Sequence, residues 1–181
     1  ALRNWVHGFH AFLEKVADQS VIYASSAIVY ATPPEQLSTE SCDSFRARGL
    51  YDFVKFAADQ IALMSAKRVF GLRLGSVNGA SPQMRWDLLI NSMFLSALQK
   101  RTITLLQPRI HRPVLGMSDF CRAVTAVLRS PPQPGVYNLA SFNSTVGDIA
   151  DEISRAMNVR LEHAPGDATA MYDFQADSSK F

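Results

Sequence analysis

From residue 3 to residue 17, apolar side chains return at Trp5, Val6, Phe9, Phe12, Leu13, Val16 and Ala17, a one-sided stripe that predicts an amphipathic helix. The run Val21-Ile22-Tyr23-Ala24 then has the continuous apolar character of a strand buried on both faces. Pro33-Pro34 and the polar residues around them predict a loop. A second helix is expected from about residue 45 to residue 66, and a second buried strand over Val69–Leu74. Strand, helix and strand at this spacing imply parallel α/β pairing. Further along, the pattern predicts a helix over 86–100 and a strand over 103–106. Ser118 is a candidate N-cap for a helix ending near Arg129, where Ser130-Pro131-Pro132 stops it. A strand over 136–139 follows, and Thr145 with Asp148 resembles a capping box opening a helix over Val146–Met157. The stretch from Ala164 onward reads as a polar, loop-like tail, and no internal repeat or low-complexity segment is found.

Composition narrows the class without changing this picture. The chain has 181 residues, 48% hydrophobic and 19% charged, with a formal net charge of +2. Those values describe a globular protein long enough to bury a sizeable core. Its scattered Lys and Arg argue against a nucleic-acid or membrane partner. There is no run of about 18 apolar residues that would span a bilayer, and the opening residues read as a helix rather than a signal peptide. Cys42 and Cys121 stand in unrelated contexts, which fits a reducing cytoplasm better than a disulfide scaffold. The sequence opens inside a helix without a capping residue, so we expect it to be a piece of a longer chain.

The sharpest chemical signal is Ser25-Ser26 just after the first strand, followed by Tyr51 and Lys55. Tyr51 and Lys55 are four apart on a predicted helix and share one face. An ammonium beside a phenol favours the phenolate, and such a phenol exchanges a proton with an alcohol or ketone. Ser26 ends a strand where open α/β sheets place ligands, and its hydroxyl is suited to bond the same oxygen. Tyr-x-x-x-Lys alone is commonplace in helices; the order strand, Ser-Ser, Tyr-x-x-x-Lys, strand is far less accidental. His7 and His10 have helical spacing, but no third ligand accompanies them, so no metal site is expected. Phe53, Phe56 and Met64 read most simply as packing residues.

These motifs resemble one family, the extended short-chain dehydrogenases that include UDP-galactose 4-epimerase and the sugar-nucleotide dehydratases. Val21 to Tyr30 looks like the family's strand ending in Ser-Ser-x-x-Val-Tyr, and Tyr51-Asp52-Phe53-Val54-Lys55 matches its Tyr-x-x-x-Lys. Gly71-Leu72-Arg73-Leu74-Gly75-Ser76-Val77-Asn78-Gly79 resembles its Leu-Arg-x-x-Asn-Val-x-Gly strand and turn. Ser81-Pro82-Gln83-Met84-Arg85-Trp86-Asp87 with Asn91, and Arg112-Pro113-Val114 with Ser118-Asp119, look like the nucleotide-sugar half. The resemblance implies an α/β fold: part of a Rossmann-like doubly wound parallel sheet over residues 1–80, with a smaller α/β substrate-binding region over 81–181 that returns some segments to the sheet. It implies an NAD(P)-dependent sugar-nucleotide epimerase or ketoreductase. Tyr51 would be the acid–base residue, Lys55 its partner and the holder of the nicotinamide ribose, and Ser26 the residue orienting the sugar oxygen. Ser25 and Leu74 would join Tyr51 and Lys55 against NAD or NADP. Ser26, Ser76, Arg85, Asn91 and Arg112 would meet a nucleotide-sugar substrate, with Arg112 on its pyrophosphate. The family's pairing of the two helices matching 3–17 and 45–66 implies a homodimer through a four-helix bundle.

Departures qualify what is carried over. Trp5 stands where many members have an asparagine, with Asn4 one place out of register, and Ser76 replaces another asparagine. Ala27-Ile28 follows Ser26 where 4,6-dehydratases carry an Asp-Glu pair, which argues against water elimination. The family's Gly-x-x-Gly-x-x-Gly turn, which receives dinucleotide phosphates, is not in this sequence; Gly71, Gly75 and Gly79 lie on a strand and its exit. On these grounds the 181 residues alone are expected to be inactive. A non-catalytic binding module that kept the fold, and a reductase of a non-nucleotide carbonyl compound, stay open as alternatives.

Overall fold

A computed structural model of the chain describes residues 3–30, 35–41, 45, 47–164 and 172–181. A π-helical turn, Arg3–His7, leads into α1, Gly8–Lys15, and then β1, Val21–Ser26, with a 3-10 turn at Ala27–Val29. There follow β2 (Leu37–Ser38), α2 (Leu50–Met64), β3 (Val69–Leu74), β4 (Ser76–Asn78) and α3 (Leu89–Lys100). Next come β5 (Thr102–Leu105), β6 (His111–Gly116), α4 (Met117–Arg129) and β7 (Gly135–Leu139). The last elements are β8 (Phe142–Thr145), α5 (Val146–Met157), β9 (Arg160–His163) and β10 (Gln175–Ala176).

The principal sheet is parallel, in the order β1-β3-β7. Its register sets Ser26 opposite Leu74 and Leu74 opposite Leu139, so the three strands end level with one another. Along β3 the faces alternate, as a strand buried on both sides requires. Phe70 and Leu72 pack on Ala123 and Val127 of α4, while Val69 packs with Leu13 of α1 and Ala62 of α2. Helices therefore cover both faces of the sheet, which is the doubly wound α/β arrangement. Phe70 is fully enclosed, a burial that contributes about 1.5–3 kcal/mol. Gly71 is needed for a close approach: a Cβ there would run into the ring and hydroxyl of Tyr23. β7 takes polar contacts from Glu40 on the Asn138 amide and from Lys180 on the Val136 carbonyl. β1, by contrast, pairs along only one edge among the described residues. A hollow of about 620 Å³ runs along it, walled by Phe9, Phe12 and Val16.

The rest of the chain builds a second apolar core. Ile103 and Leu105 point inward from β5, and Ile90, Met93 and Ala97 of α3 close on Ile149, Ala150 and Ile153 of α5. Around it lie the mixed sheet β4-β6-β8 and the pair β5-β9. Thr145 caps α5 as expected, its hydroxyl accepting from the Asp148 amide at 3.0 Å.

Several expectations need correction. β1 continues through Ser26, so the Ser-Ser pair forms its last two residues rather than following it. α2 starts at Leu50, not near 45, because Gly49 is extended and Phe45 is used elsewhere. Phe45 bridges to Tyr30 and stacks on Phe56 with ring centroids 3.8 Å apart. Ser118 is not a cap; α4 begins at Met117 after an extended Gly116. β6 was concealed by Pro113, a residue that ordinarily argues against a central strand. The tail is not loose either: β10 pairs with β2, and Phe174 is buried with Ala27, Val29 and Tyr30. Pro33-Pro34, Cys42 and residues 165–171 lie outside the described residues. No helix among the described residues is long and apolar enough to cross a membrane.

Candidate active site

The ends of β1 and β3 open into a cleft of about 350 Å³. It brings together Ser25, Ser26, Tyr51, Lys55, Leu74, Ser76, Arg85 and Arg112, all the residues singled out above except Asn91. α2 supplies the central pair because four residues advance its backbone by roughly one turn. Tyr51 is 57% exposed and faces the cleft, whereas Lys55 is only 8% exposed beside it. The Lys55 ammonium lies 5.6 Å from the Tyr51 ring and 4.9 Å from the Trp5 ring. It donates one hydrogen bond, 2.7 Å long, to the Ala24 carbonyl on β1. Burial pushes its pKa down, with the charge of Asp59 opposing. Trp5, where the resemblance led us to look for an asparagine, is thus a ring face over the lysine.

Ser26 accepts from the Ile28 amide at 3.3 Å, which anchors its oxygen and leaves its hydroxyl proton to be donated. Ser25 is 3% exposed, and its Oγ is buried with no hydrogen-bond partner in the protein. A buried polar atom left in that state costs about 1–3 kcal/mol until a partner arrives. Ala27 is fully enclosed and Ile28 lines the cleft, so apolar groups occupy the two positions after Ser26.

Behind the cleft runs a buried polar network that the sequence reading missed. Asp59, fully buried, accepts from the Tyr23 hydroxyl and from Arg73 Nε, both at 2.7 Å. Arg73 Nη1 donates to the Tyr30 hydroxyl at 2.9 Å, and Tyr30 donates to Asn138 Oδ1 at 2.6 Å. Burial, then Asp59, push the Tyr23 phenol far above the usual tyrosine range. Burial also raises Tyr30, against the pull of Arg73. For Arg73, burial opposes the charge, but Tyr30 and Asp59 outweigh it and hold the guanidinium above its usual range. One signal for Asp59 was available: it continues the four-residue spacing of Tyr51 and Lys55.

At the other end of the cleft stands Arg112. Its side chain is half-buried, and it donates at 3.2 Å to the carbonyl of His111. Burial pushes it down to about 10, Arg48 acts in the same sense, and Asp173 and Tyr172 oppose. A half-buried cation whose hydrogen bond goes to a neutral carbonyl is a place for an anion. Tyr172 and Phe174, from the tail, complete this wall, and Tyr172 is fixed by donating to the Asp52 carboxylate at 2.9 Å. Their alternation with Asp173 was the readable sign of an extended, docked segment. Arg85 is engaged by Asp87 through bonds of 2.8 and 2.5 Å. Asn91 lies off the cleft, buried, and its side chain donates to the Arg85 carbonyl at 3.0 Å. His10 is exposed, 4.0 Å from Glu14, and no group of three metal-binding side chains occurs among the described residues.

Comparison with known proteins follows the same outline. The sequence model of the NAD dependent epimerase/dehydratase family matches residues 6–140. No curated protein matches the chain. Among solved structures, a dTDP-glucose 4,6-dehydratase from Bacillus anthracis in complex with NAD superposes with a TM-score of 0.81 at 22% identity, over 97% of this chain and 59% of that one. RMD from Pseudomonas aeruginosa, complexed with NADPH, gives 0.81 at 17% identity over 99% and 65%. The UDP-N-acetylglucosamine 4-epimerase of Methanobrevibacter ruminantium gives 0.80 at 18% identity over 99% and 61%. At these identities the likeness is one of fold, Rossmann-like α/β. The chain spans about three fifths of the length of the first of these structures.

Proposed function

This chain belongs to the NAD-dependent epimerase/dehydratase family, and from that premise we propose that it carries the catalytic face of an enzyme moving hydride at a sugar carbon of a nucleotide sugar. The reading is an epimerase or a ketoreductase. The observation that carries it is the meeting of Ser26, an exposed Tyr51 and a buried Lys55 in one cleft at the ends of parallel strands.

The residues present fit the nicotinamide end of NAD or NADP: Ser25 Oγ is buried and unpartnered, and Lys55 has spent one of its three N–H donors on Ala24. When bound, the dinucleotide supplies a place for the hydride. Lys55 and Ser25 would hold it with Leu74 as an apolar wall. Tyr51 takes the proton from the sugar hydroxyl as the carbon is oxidised, and returns it on reduction. Lys55 favours the charged form of the phenol through its positive field. Ser26 donates to the same sugar oxygen and orients it. Arg112 meets the substrate pyrophosphate, where an always-charged planar fork is suited to the task. Ser76 and Arg85 border the sugar, and Asn91 holds the Arg85 backbone in place. Water elimination needs an acid and a base after Ser26, and Ala27 with Ile28 supplies neither.

Two assembly features accompany this reading. Leu50, Phe53, Leu63 and Met64 expose apolar surface on α2, which supports a homodimer joined through α1 and α2. The exposed free thiol of Cys121 suits a reducing cytoplasm.

The test is Tyr51→Phe in the whole protein, after a thermal-shift screen of nucleotide sugars with and without each dinucleotide. Turnover falls by roughly 10²–10⁴-fold, and sugar-nucleotide affinity stays within a few-fold. Near-normal turnover rejects the mechanism. Retention of NAD without net consumption identifies epimerisation; stoichiometric NADPH oxidation identifies reduction.

A further inference from the structure

On α2, Tyr51, Lys55 and Asp59 recur at four-residue intervals and so share a face. Lys55 is buried against neutral partners: the Ala24 carbonyl at 2.7 Å and the rings of Trp5 and Tyr51. Surroundings of that kind discharge an ammonium unless an anion stands near. Asp59 is that anion, the group whose charge opposes the effect of burial on Lys55. Its position is fixed, with Oδ1 taken by Tyr23 and Oδ2 by Arg73 Nε, each at 2.7 Å. Held this way, the carboxylate acts on Lys55 through its field and not by direct contact. Lys55 lines the cleft, and two of its three N–H groups are not used on Ala24. Lys55, Asp59 and Arg73 together carry one surplus positive charge.

We propose that Asp59 is a positioning residue for Lys55: clamped by Tyr23 and Arg73, its carboxylate keeps the ammonium charged and seated under Tyr51 without consuming the N–H groups that Lys55 offers to the cleft. The proposal rests on the reading of Tyr51 and Lys55 as the proton-transfer pair. The other titratable or charged groups around this set are Tyr23 on β1, Tyr30 after the 3-10 turn, Arg73 on β3, and Arg85, whose charge interacts with Tyr51. Asp59 pairs with Arg73, and a merely structural pair would lower stability and leave Lys55 unchanged.

The measurement is the pH titration of Lys55 Nζ by NMR in the 15N-lysine-labelled chain, the resonance assigned by its loss in Lys55→Arg. In Asp59→Asn the Lys55 midpoint moves to lower pH; in Asp59→Glu it stays near that of the parent. Asp59→Asn/Arg73→Gln removes both buried charges together, and a smaller shift in the same downward direction is expected there, since the opposing charge of Arg73 goes too, should the single variant fail to fold. In the whole protein, turnover of Asp59→Asn near neutrality falls on the order of tenfold, part of what a positioned acid–base pair contributes, and Asp59→Glu recovers it. An unmoved Lys55 midpoint in a folded Asp59→Asn or double variant overturns the proposal. A shifted midpoint together with full turnover in Tyr51→Phe upholds Asp59 and rejects the enzymatic reading instead.

Discussion

Replacing Tyr30 by phenylalanine removes one oxygen from the middle of the buried network, and the cost follows from its two bonds. The residue is 3% exposed. Its hydroxyl accepts from Arg73 Nη1 at 2.9 Å and donates to Asn138 Oδ1 at 2.6 Å. Asn138 is fully buried, and its amide N–H groups are already given to the Ser38 and Asp177 carbonyls at 2.8 and 2.9 Å. It cannot turn to recover a partner without breaking both. Tyr30→Phe therefore strands one buried acceptor and one buried cationic donor, at about 1–3 kcal/mol each, partly offset because the hydroxyl need no longer be desolvated. A net loss of about 2–4 kcal/mol is expected, which corresponds to a fall in Tm of about 5–15 °C for a chain of this size. Urea unfolding measures it, with the midpoint falling and the m-value unchanged. Tyr137→Phe is the control, since that hydroxyl donates to the carbonyl of Gln133, an exposed residue, and water replaces it. A Tyr30→Phe protein within about 0.5 kcal/mol of the parent refutes the claim that the network stabilises the fold.

Alkali should destabilise the protein for a related reason. Tyr23 and Tyr30 ionise less readily folded than unfolded, so their contribution is whole below the ordinary tyrosine pKa of about 10 and is lost progressively as pH rises beyond it toward their raised folded values. Lys55, shifted the other way, offsets a part. A urea midpoint that stays flat between about pH 8 and pH 11 contradicts this sign. Arg112→Gln is expected to weaken nucleotide-sugar binding by about 10- to 100-fold with little change in Tm, since among the described residues its guanidinium bonds only a neighbouring carbonyl; calorimetric titration with an unchanged Kd removes Arg112 from the anion site. Phe53→Asp, on the exposed face of α2, should leave monomer stability within about 0.5 kcal/mol. Light scattering should find monomer in place of the proposed dimer, and an undisturbed dimer discards that interface.

What the sequence disclosed depended on how local the controlling interaction was. β3 and α5 were legible to their exact ends, because a doubly buried apolar run and a Thr-x-x-Asp cap are signals carried within a few residues. Tyr51 and Lys55 were legible for the same reason, their spacing being one helical turn. Phe45 misled, since its stacking on Phe56 and its bridge to Tyr30 are tertiary and leave no periodic trace. The tail was misread because its few apolar residues are docked by pairing with β2, more than a hundred positions away. Asp59 was passed over although it extends the spacing that identified its neighbours. A carboxylate on a helix reads as solvated until Tyr23 and Arg73 are seen to enclose it.

That β1 pairs along one edge among the described residues has a consequence for handling. Its outer row of amides and carbonyls, bordered by Phe9, Phe12 and Val16, is a template on which one more strand adds by backbone bonding alone, with apolar cover already in place. Any strand so added, from an adjoining stretch of polypeptide or from another copy, would extend the sheet beside the floor of the cleft. Left bare in concentrated solution, the same edge is where clumping would begin.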